Sequence, residues 1–148
     1  MAIALHGIKK IFGEPPTEVL KGIDLEIHSG EFVSLTGRSG SGKSTLLYII
    51  SSLDDPSSGH VEIDGTRITE MPAKDLHEFR NLHMGFVFQF HYLLPELSAL
   101  ENVLMPARKF KQNQQRLQRA KDLLDQFGLK DKLDRLPRQL SGGEQQRV

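Results

Sequence analysis

One stretch, residues 37–45, constrains what this chain can fold into more than any other part of the sequence. It matches the pattern Gly-x4-Gly-Lys-Ser, in which several backbone N–H groups turn toward one anion. Glycine permits that tight turn because it has no Cβ. The pattern therefore predicts a phosphate-binding loop made of Gly37, Arg38, Ser39, Gly40, Ser41, Gly42, Lys43, Ser44 and Thr45.

The segments on either side of this loop have the periodicities that such a loop requires. Residues 31–36 alternate as a short strand does, and residues 46–53 have the apolar face of a helix. That helix points its free N–H groups and its positive dipole end at the loop. We expect Lys43 to add a full positive charge, and the Ser44 hydroxyl to bind Mg2+ on the phosphates. A flexible Gly/Ser linker is the alternative, but linkers do not join a strand to an apolar helix.

Composition restricts the class of protein. The chain has 148 residues, of which 38% are hydrophobic, and these numbers fit one domain. Lys and Arg together equal Asp and Glu at 19 each, so no bulk attraction to nucleic acid is predicted. Cysteine is absent, which excludes disulfides and thiolate metal sites. No apolar run approaches the roughly 18 residues that cross a bilayer, so we expect a soluble, cytoplasmic chain.

The remaining strands are predicted from alternation and turn residues. Residues 2–12 and 18–28 read as strands. The second has one wet face, as in an antiparallel sheet, and residues 60–68 read as a hairpin. Residues 84–88 (MGFVF) predict a strand buried on both faces. This strand ends at Gln89, where the carboxyl end of a parallel strand places a side chain near a ligand. A surface glutamine in a loop is the alternative.

Helices are predicted from their caps and apolar stripes. One starts at Pro72, a second follows the capping box of Ser98 and Glu101, and Pro106 should kink or end it. Residues 113–127 predict a longer helix with Gly128 as its stop, and a capping box beginning at Ser141 opens a last one. The six histidines, at 6, 28, 60, 77, 83 and 91, show no metal-ligand spacing on a predicted helix. We expect them to be structural or surface residues.

Residues 140–147 (LSGGEQQR) resemble the signature sequence of ABC-type ATPases. Together with the phosphate-binding loop and Gln89, they make three matches in the family's order, and the resemblance covers essentially the whole chain. It implies an α/β fold with a P-loop NTPase core, an N-terminal antiparallel β subdomain and a helical subdomain. In this chain, residues 1–89 correspond to the β subdomain and core, and residues 90–148 to the helical subdomain.

The resemblance also implies the site residues. ATP and Mg2+ are the implied ligands, with Ser44 and Gln89 on the metal and Gln89 as the catalytic residue. Phe12 lies where family members stack an aromatic ring on adenine, although tyrosine is commoner there and a core strand residue is the alternative. In the family, Ser141, Gly142 and Gly143 close on the γ-phosphate of a nucleotide that a second subunit holds.

Residues 88–95 (FQFHYLLP) and 99–103 (ALENV) look most like the ATPase subunits of lipoprotein-releasing transporters, and the macrolide-exporter and cell-division branches share much of this pattern. The resemblance implies a homodimer of ATPase subunits, transmembrane permease subunits as partners, and a peripheral position on the cytoplasmic face of the bacterial inner membrane. The apolar residues of the 90–97 loop are either a small satellite core or a docking groove.

The family pattern continues with a Walker B strand, a catalytic glutamate, a D-loop and a switch histidine, none of which we find in these residues. We therefore expect a C-terminally incomplete domain. The full-length protein should hydrolyse ATP, whereas residues 1–148 alone should not. A module that binds nucleotide without hydrolysing it is the alternative.

Overall fold

The computed structural model describes residues 2–109 and 111–148. These residues divide into two compact units, one that ends at Gly85 and one that begins at Phe86. The first unit contains an antiparallel sheet of four strands: β1 (Ile3–Phe12), β2 (Thr17–Ile27), β3 (Ser58–Ile63) and β4 (Thr66–Arg67). Their order is β2-β1-β3-β4, and Leu5 pairs with Leu25 on one side and with Val61 on the other. The antiparallel sheet and the hairpin predicted from alternation are confirmed.

The core of the first unit lies between the inner face of this sheet and helix α1 (Lys43–Ile50). Alternation turns Leu5 and Val61 inward, where they join Leu46 and Ile49 from α1 in one buried cluster. Leu53, predicted on the apolar face of this helix, remains 43% exposed. A 3-10 turn (Ile68–Glu70) then leads to α2 (Ala73–His83). Pro72 caps α2 and is not its first helical residue, because its ψ of 142° is extended.

Two predicted strands of the parallel core are wrong for this structure. Residues 31–36 and 84–88 are irregular, and none of residues 31–40 is buried. Phe32 is 98% exposed and Val87 is 93% exposed, so neither segment is buried on both faces. A strand needs a neighbour to pair its backbone N–H and C=O groups. Within the described residues, neither segment is part of a sheet.

The second unit is helical. It consists of α3 (Ala99–Lys109), α4 (Asn113–Gln126) and α5 (Gly142–Arg147), with 3-10 turns at Lys130–Lys132 and Pro137–Gln139. Helix α3 packs against α4. The core side chains are Ala99, Leu104, Ala120, Leu124, Leu129 and Leu140.

The capping box and the glycine stop predicted from the sequence are present at the ends of helices in this unit. The Ser98 backbone N–H donates to Glu101 Oε2 at 2.9 Å, and the Glu101 N–H donates to Ser98 Oγ at 3.3 Å. Gly128 adopts a left-handed φ of 72° just after α4, as its stop signal predicted. Pro106 does not end α3, which continues to Lys109. No helix in the described part of the chain is long and apolar enough to cross a membrane.

Candidate functional site

The phosphate-binding loop leads directly into α1. Ser41 N–H donates to the Arg38 carbonyl at 3.2 Å, and Gly42 caps the helix with φ 88° and ψ 7°. A Cβ on Gly42 would lie 3.0 Å from Leu20 Cδ2 and 3.1 Å from Val19 Cγ1. Both the left-handed backbone and the close approach to β2 therefore require glycine at this position.

Lys43 points back into the loop. Its Nζ donates to the Gly37 carbonyl at 2.9 Å and to the Arg38 carbonyl at 2.7 Å. The ammonium group is thus held beside the loop backbone, at the N-terminus of α1, where free N–H groups also favour an anion. Ser44 is exposed in the first helical turn and Thr45 is half-buried. The loop can bind a phosphate group by exchanging these carbonyl contacts for phosphate oxygens.

Phe12 lies at the end of β1 in the same unit. Its side chain is 44% exposed, so it is not a core strand residue. Lys10 Nζ lies 4.9 Å from the centre of the Phe12 ring and also donates to Asp54 Oδ1 at 2.7 Å. This arrangement leaves an aromatic surface at the end of the sheet. Its use as an adenine platform stays a prediction.

The signature residues lie in the second unit, at the start of α5. Ser141 N–H donates to Glu144 Oε2 at 2.7 Å, and Glu144 N–H donates to Ser141 Oγ at 3.3 Å. The hydrogen bond from the Ser141 backbone lowers the pKa of the Glu144 carboxyl below its usual value. It therefore favours a negative charge in the first turn, where the helix dipole stabilises it.

Neither glycine of this signature is required by the described structure. A Cβ on Gly142 would have no heavy atom within 4 Å, and one on Gly143 would meet only Arg147 NH1 at 4.0 Å. Neither glycine has a left-handed φ. The residue type at these positions is consistent with close approach of another molecule to the backbone.

Gln89 lies in the second unit, exposed, at a bend. Gln146 of α5 connects the signature helix to the segment around it. Its Nε2 donates to the Phe88 carbonyl at 3.2 Å, and its Oε1 lies 3.1 Å from His91 Nδ1. The sequence reasoning missed Gln146 and His91, because a contact between residues 55 positions apart leaves no local pattern.

The predicted site residues therefore fall into two groups. The phosphate-binding loop and Phe12 belong to the first unit, whereas Gln89 and the signature belong to the second. The predicted Mg2+ ligands, Ser44 and Gln89, accordingly come from different units.

Two of the histidines lie close together across the sheet. His6 and His60 are opposite each other on β1 and β3, and their side chains lie near Glu62. The prediction of no metal-ligand spacing considered helices, whereas sheet pairing brings these three side chains together.

Comparison with known proteins decides the family. Residues 20–148 match the family model described as ABC transporter. The chain belongs to the ABC transporter family. Its N-terminal antiparallel sheet, phosphate-binding loop and helical unit agree with the ABC ATPase fold predicted from the signature.

Two similar curated proteins carry the same name. A protein of Leptospira interrogans named "Lipoprotein-releasing system ATP-binding protein LolD" is 54% identical over 146 residues, covering 99% of this chain and 61% of the relative. The protein of that name in Bacteroides fragilis is 53% identical over 147 residues, covering 99% of this chain and 67% of the relative. The predicted resemblance to the lipoprotein-releasing branch is confirmed as a similarity. The chain spans roughly three-fifths to two-thirds of the length of these relatives.

Two similar solved structures are ABC cassettes. A dimeric structure of the ATP-binding cassette MJ0796, described as a post-hydrolysis state bound to ADP and Pi, superimposes with a TM-score of 0.87 at 41% identity. The match covers 98% of this chain and 66% of that one. A second dimeric structure of MJ0796, described as a bacterial ABC transporter cassette, also has a TM-score of 0.87, at 42% identity.

Proposed function

We propose that the full-length protein is the ATP-binding and ATP-hydrolysing subunit of an ABC transporter of the lipoprotein-releasing type. Residues 1–89 supply the β subdomain and phosphate-binding core, and residues 90–148 supply the helical subdomain. The observation that carries this proposal is the position of Lys43, whose ammonium group sits among the loop carbonyls at the N-terminus of α1. The similarity to proteins named as lipoprotein-releasing ATP-binding subunits supports the transporter type.

The phosphates of ATP bind to residues 37–45 through backbone N–H groups and the Lys43 ammonium. The Ser44 hydroxyl fits a Mg2+ ligand, because it is exposed in the first turn of α1 beside these groups. Mg2+ bound there supplies positive charge that neutralises the phosphate oxygens. Gln89 is the proposed second metal ligand and catalytic residue, and Phe12 receives the adenine ring.

The signature binds the nucleotide of a second subunit. Ser141, Gly142 and Gly143 offer a hydroxyl and backbone N–H groups, with no Cβ to obstruct an approaching phosphate. The solved dimers of the MJ0796 cassette support such an arrangement of two copies. In this two-subunit arrangement, ATP binding and hydrolysis are coupled to the membrane partner.

A transmembrane permease subunit is the proposed partner, which places the protein at the cytoplasmic face of the bacterial inner membrane. Within the second unit, Phe90, Leu93 and Phe127 help to line an open cavity of about 470 Å3. Phe90 is 66% exposed and Tyr92 is 67% exposed. These exposures favour a docking surface over a satellite core in the 90–97 loop.

Replacing Lys43 with alanine tests the proposed function. The variant loses a charge-assisted contact worth about 1.5–3 kcal/mol, which weakens ATP affinity by roughly tenfold to 150-fold. The measurement is a titration of the full-length protein with a fluorescent ATP analogue. Lys74→Ala, which removes an exposed lysine from α2, is the matched control and should bind as the parent does. Equal dissociation constants for the Lys43 variant and the parent would refute the loop assignment.

A further inference from the structure

Three side chains with metal-binding atoms meet on the outer face of the sheet. His6 of β1 is directly opposite His60 of β3, and Glu62 lies two residues further along β3 on the same face. The inner face at these positions is formed by Leu5, Val61 and Ile63, which are buried. The cluster therefore lies outside the core, and none of its members belongs to the proposed nucleotide site.

The distances between the ligand atoms are close to those around a shared metal ion. His60 Nε2 lies 3.2 Å from Glu62 Oε1, and His6 Nε2 lies 3.9 Å from Glu62 Oε2. One ligand atom from each residue falls within 4.8 Å of the other two. Tetrahedral Zn2+ with bonds of about 2.0–2.2 Å holds its ligand atoms roughly 3.4 Å apart. Small rotations of these side chains, which solvent reaches, close the remaining gap.

Arg67 of β4 holds the carboxylate in place. Its Nε donates to Glu62 Oε1 at 3.0 Å, which leaves Oε2 on the side of His6. Hydrogen bonds of this kind orient ligating carboxylates in metal sites generally.

The ligand types select the class of metal. Two imidazoles and one carboxylate suit Zn2+ and its transition-metal neighbours, whereas Mg2+ and Ca2+ prefer oxygen ligands alone. We propose that His6, His60 and Glu62 bind one divalent transition-metal ion of the zinc class on the outer face of the sheet. The ion joins β1 to β3, so it binds the folded chain and stabilises it by mass action.

Calorimetric titration of the full-length protein with ZnCl2, in excess Mg2+ to occupy oxygen-only sites, tests this proposal. The expected result is one Zn2+ per chain. His60→Gln and His6→Gln should each weaken binding by roughly tenfold or more, because each removes a direct ligand. His28→Gln, which alters an exposed histidine outside the cluster, is the matched control and should bind Zn2+ as the parent does. Zn2+ should also raise the melting temperature of the parent but not that of His60→Gln.

Two results would overturn the proposal: no saturable one-to-one binding by the parent, or equal Zn2+ affinity in the parent and both histidine variants. Circular dichroism without metal shows whether each variant is folded. The His6 side chain is 46% exposed, against 26% for His60, so His6→Gln keeps the test valid if His60→Gln perturbs the sheet.

Discussion

At the residue scale, two glycines in the first unit have the same left-handed backbone conformation but different surroundings. Gly59 has φ 87° and Gly65 has φ 76°, both in the left-handed region. A Cβ on Gly59 would lie 2.5 Å from the carbonyl oxygens of His6 and Gly7 on β1, whereas one on Gly65 would meet nothing within 4 Å. Substituting Gly65 therefore tests backbone strain alone, whereas substituting Gly59 tests backbone strain together with a steric clash.

We predict that Gly65→Ala destabilises the full-length protein by about 1–2 kcal/mol, the cost of a left-handed residue with a Cβ. Gly59→Ala should cost about 1–3 kcal/mol more, because the backbone of β1 has to move. Urea unfolding curves give both free energies of unfolding. Equal losses for the two variants would show that β1 does not pack against Gly59 as described.

At the element scale, the start of α3 depends on an ionised carboxylate. The backbone hydrogen bond from Ser98 lowers the pKa of Glu101 below 4.5, with further help from the Ser98 hydroxyl and from Arg108. Arg108 NH2 lies 3.3 Å from Glu101 Oε1. Because the folded pKa is below the unfolded value, the stabilisation is fully present above pH 4.5. It is lost as the pH falls from 4.5 through the folded pKa.

We predict that Glu101→Gln, which keeps an oxygen acceptor but removes the charge, lowers stability above pH 4.5. The difference between parent and variant should shrink as the pH falls below 4.5. Free energies of unfolding from urea curves at pH values on both sides of 4.5 provide the measurement. Glu96→Gln, in the exposed turn before α3, controls for a general change of charge. A difference that does not vary with pH would contradict the role of the ionised cap.

At the scale of the whole molecule, the described residues leave apolar side chains uncovered. Phe32 and Val87 are almost fully exposed on the two segments that the sequence predicted as core strands. Next to Gln89, the Phe88 and Tyr92 rings meet edge-on with their centroids 5.2 Å apart. The centroids of the Phe90 and Tyr92 rings are 6.3 Å apart. Such a contiguous exposed aromatic patch is typical of an interaction surface.

We predict that Phe90→Ser with Tyr92→Ser weakens association of the full-length protein with its permease subunit and leaves ATP affinity nearly unchanged. The two rings are on the surface, so their loss removes docking area without opening the core. Co-purification from membranes measures the association. Leu117→Ser, which removes a partly exposed apolar side chain from α4, is the control. Undiminished co-purification of a stable double variant would contradict docking through these rings. Loss of the variant's thermal unfolding transition would show that the rings are needed for folding.

The sequence by itself determined the features that depend on neighbouring residues. The alternation of β1 and β2, the capping boxes at Ser98 and Ser141, and the glycine stop of α4 involve contacts within a few positions. The local conformation of residues 37–43 belongs to this class as well, because Lys43 Nζ donates to the carbonyl of Gly37, only six positions away. Short-range hydrogen bonds leave a readable pattern in the order of residues.

Only the tertiary structure decided which distant segments meet. The pairing of β1 with β3 places His6 beside His60, and α5 places Gln146 beside Phe88, with no signal at either position in the sequence. The tertiary structure also leaves residues 31–36 and 84–88 irregular, although their alternation and apolar character suit a strand. A strand exists only where a neighbouring strand accepts and donates its backbone hydrogen bonds, and that neighbour is set by the fold and not by the segment itself.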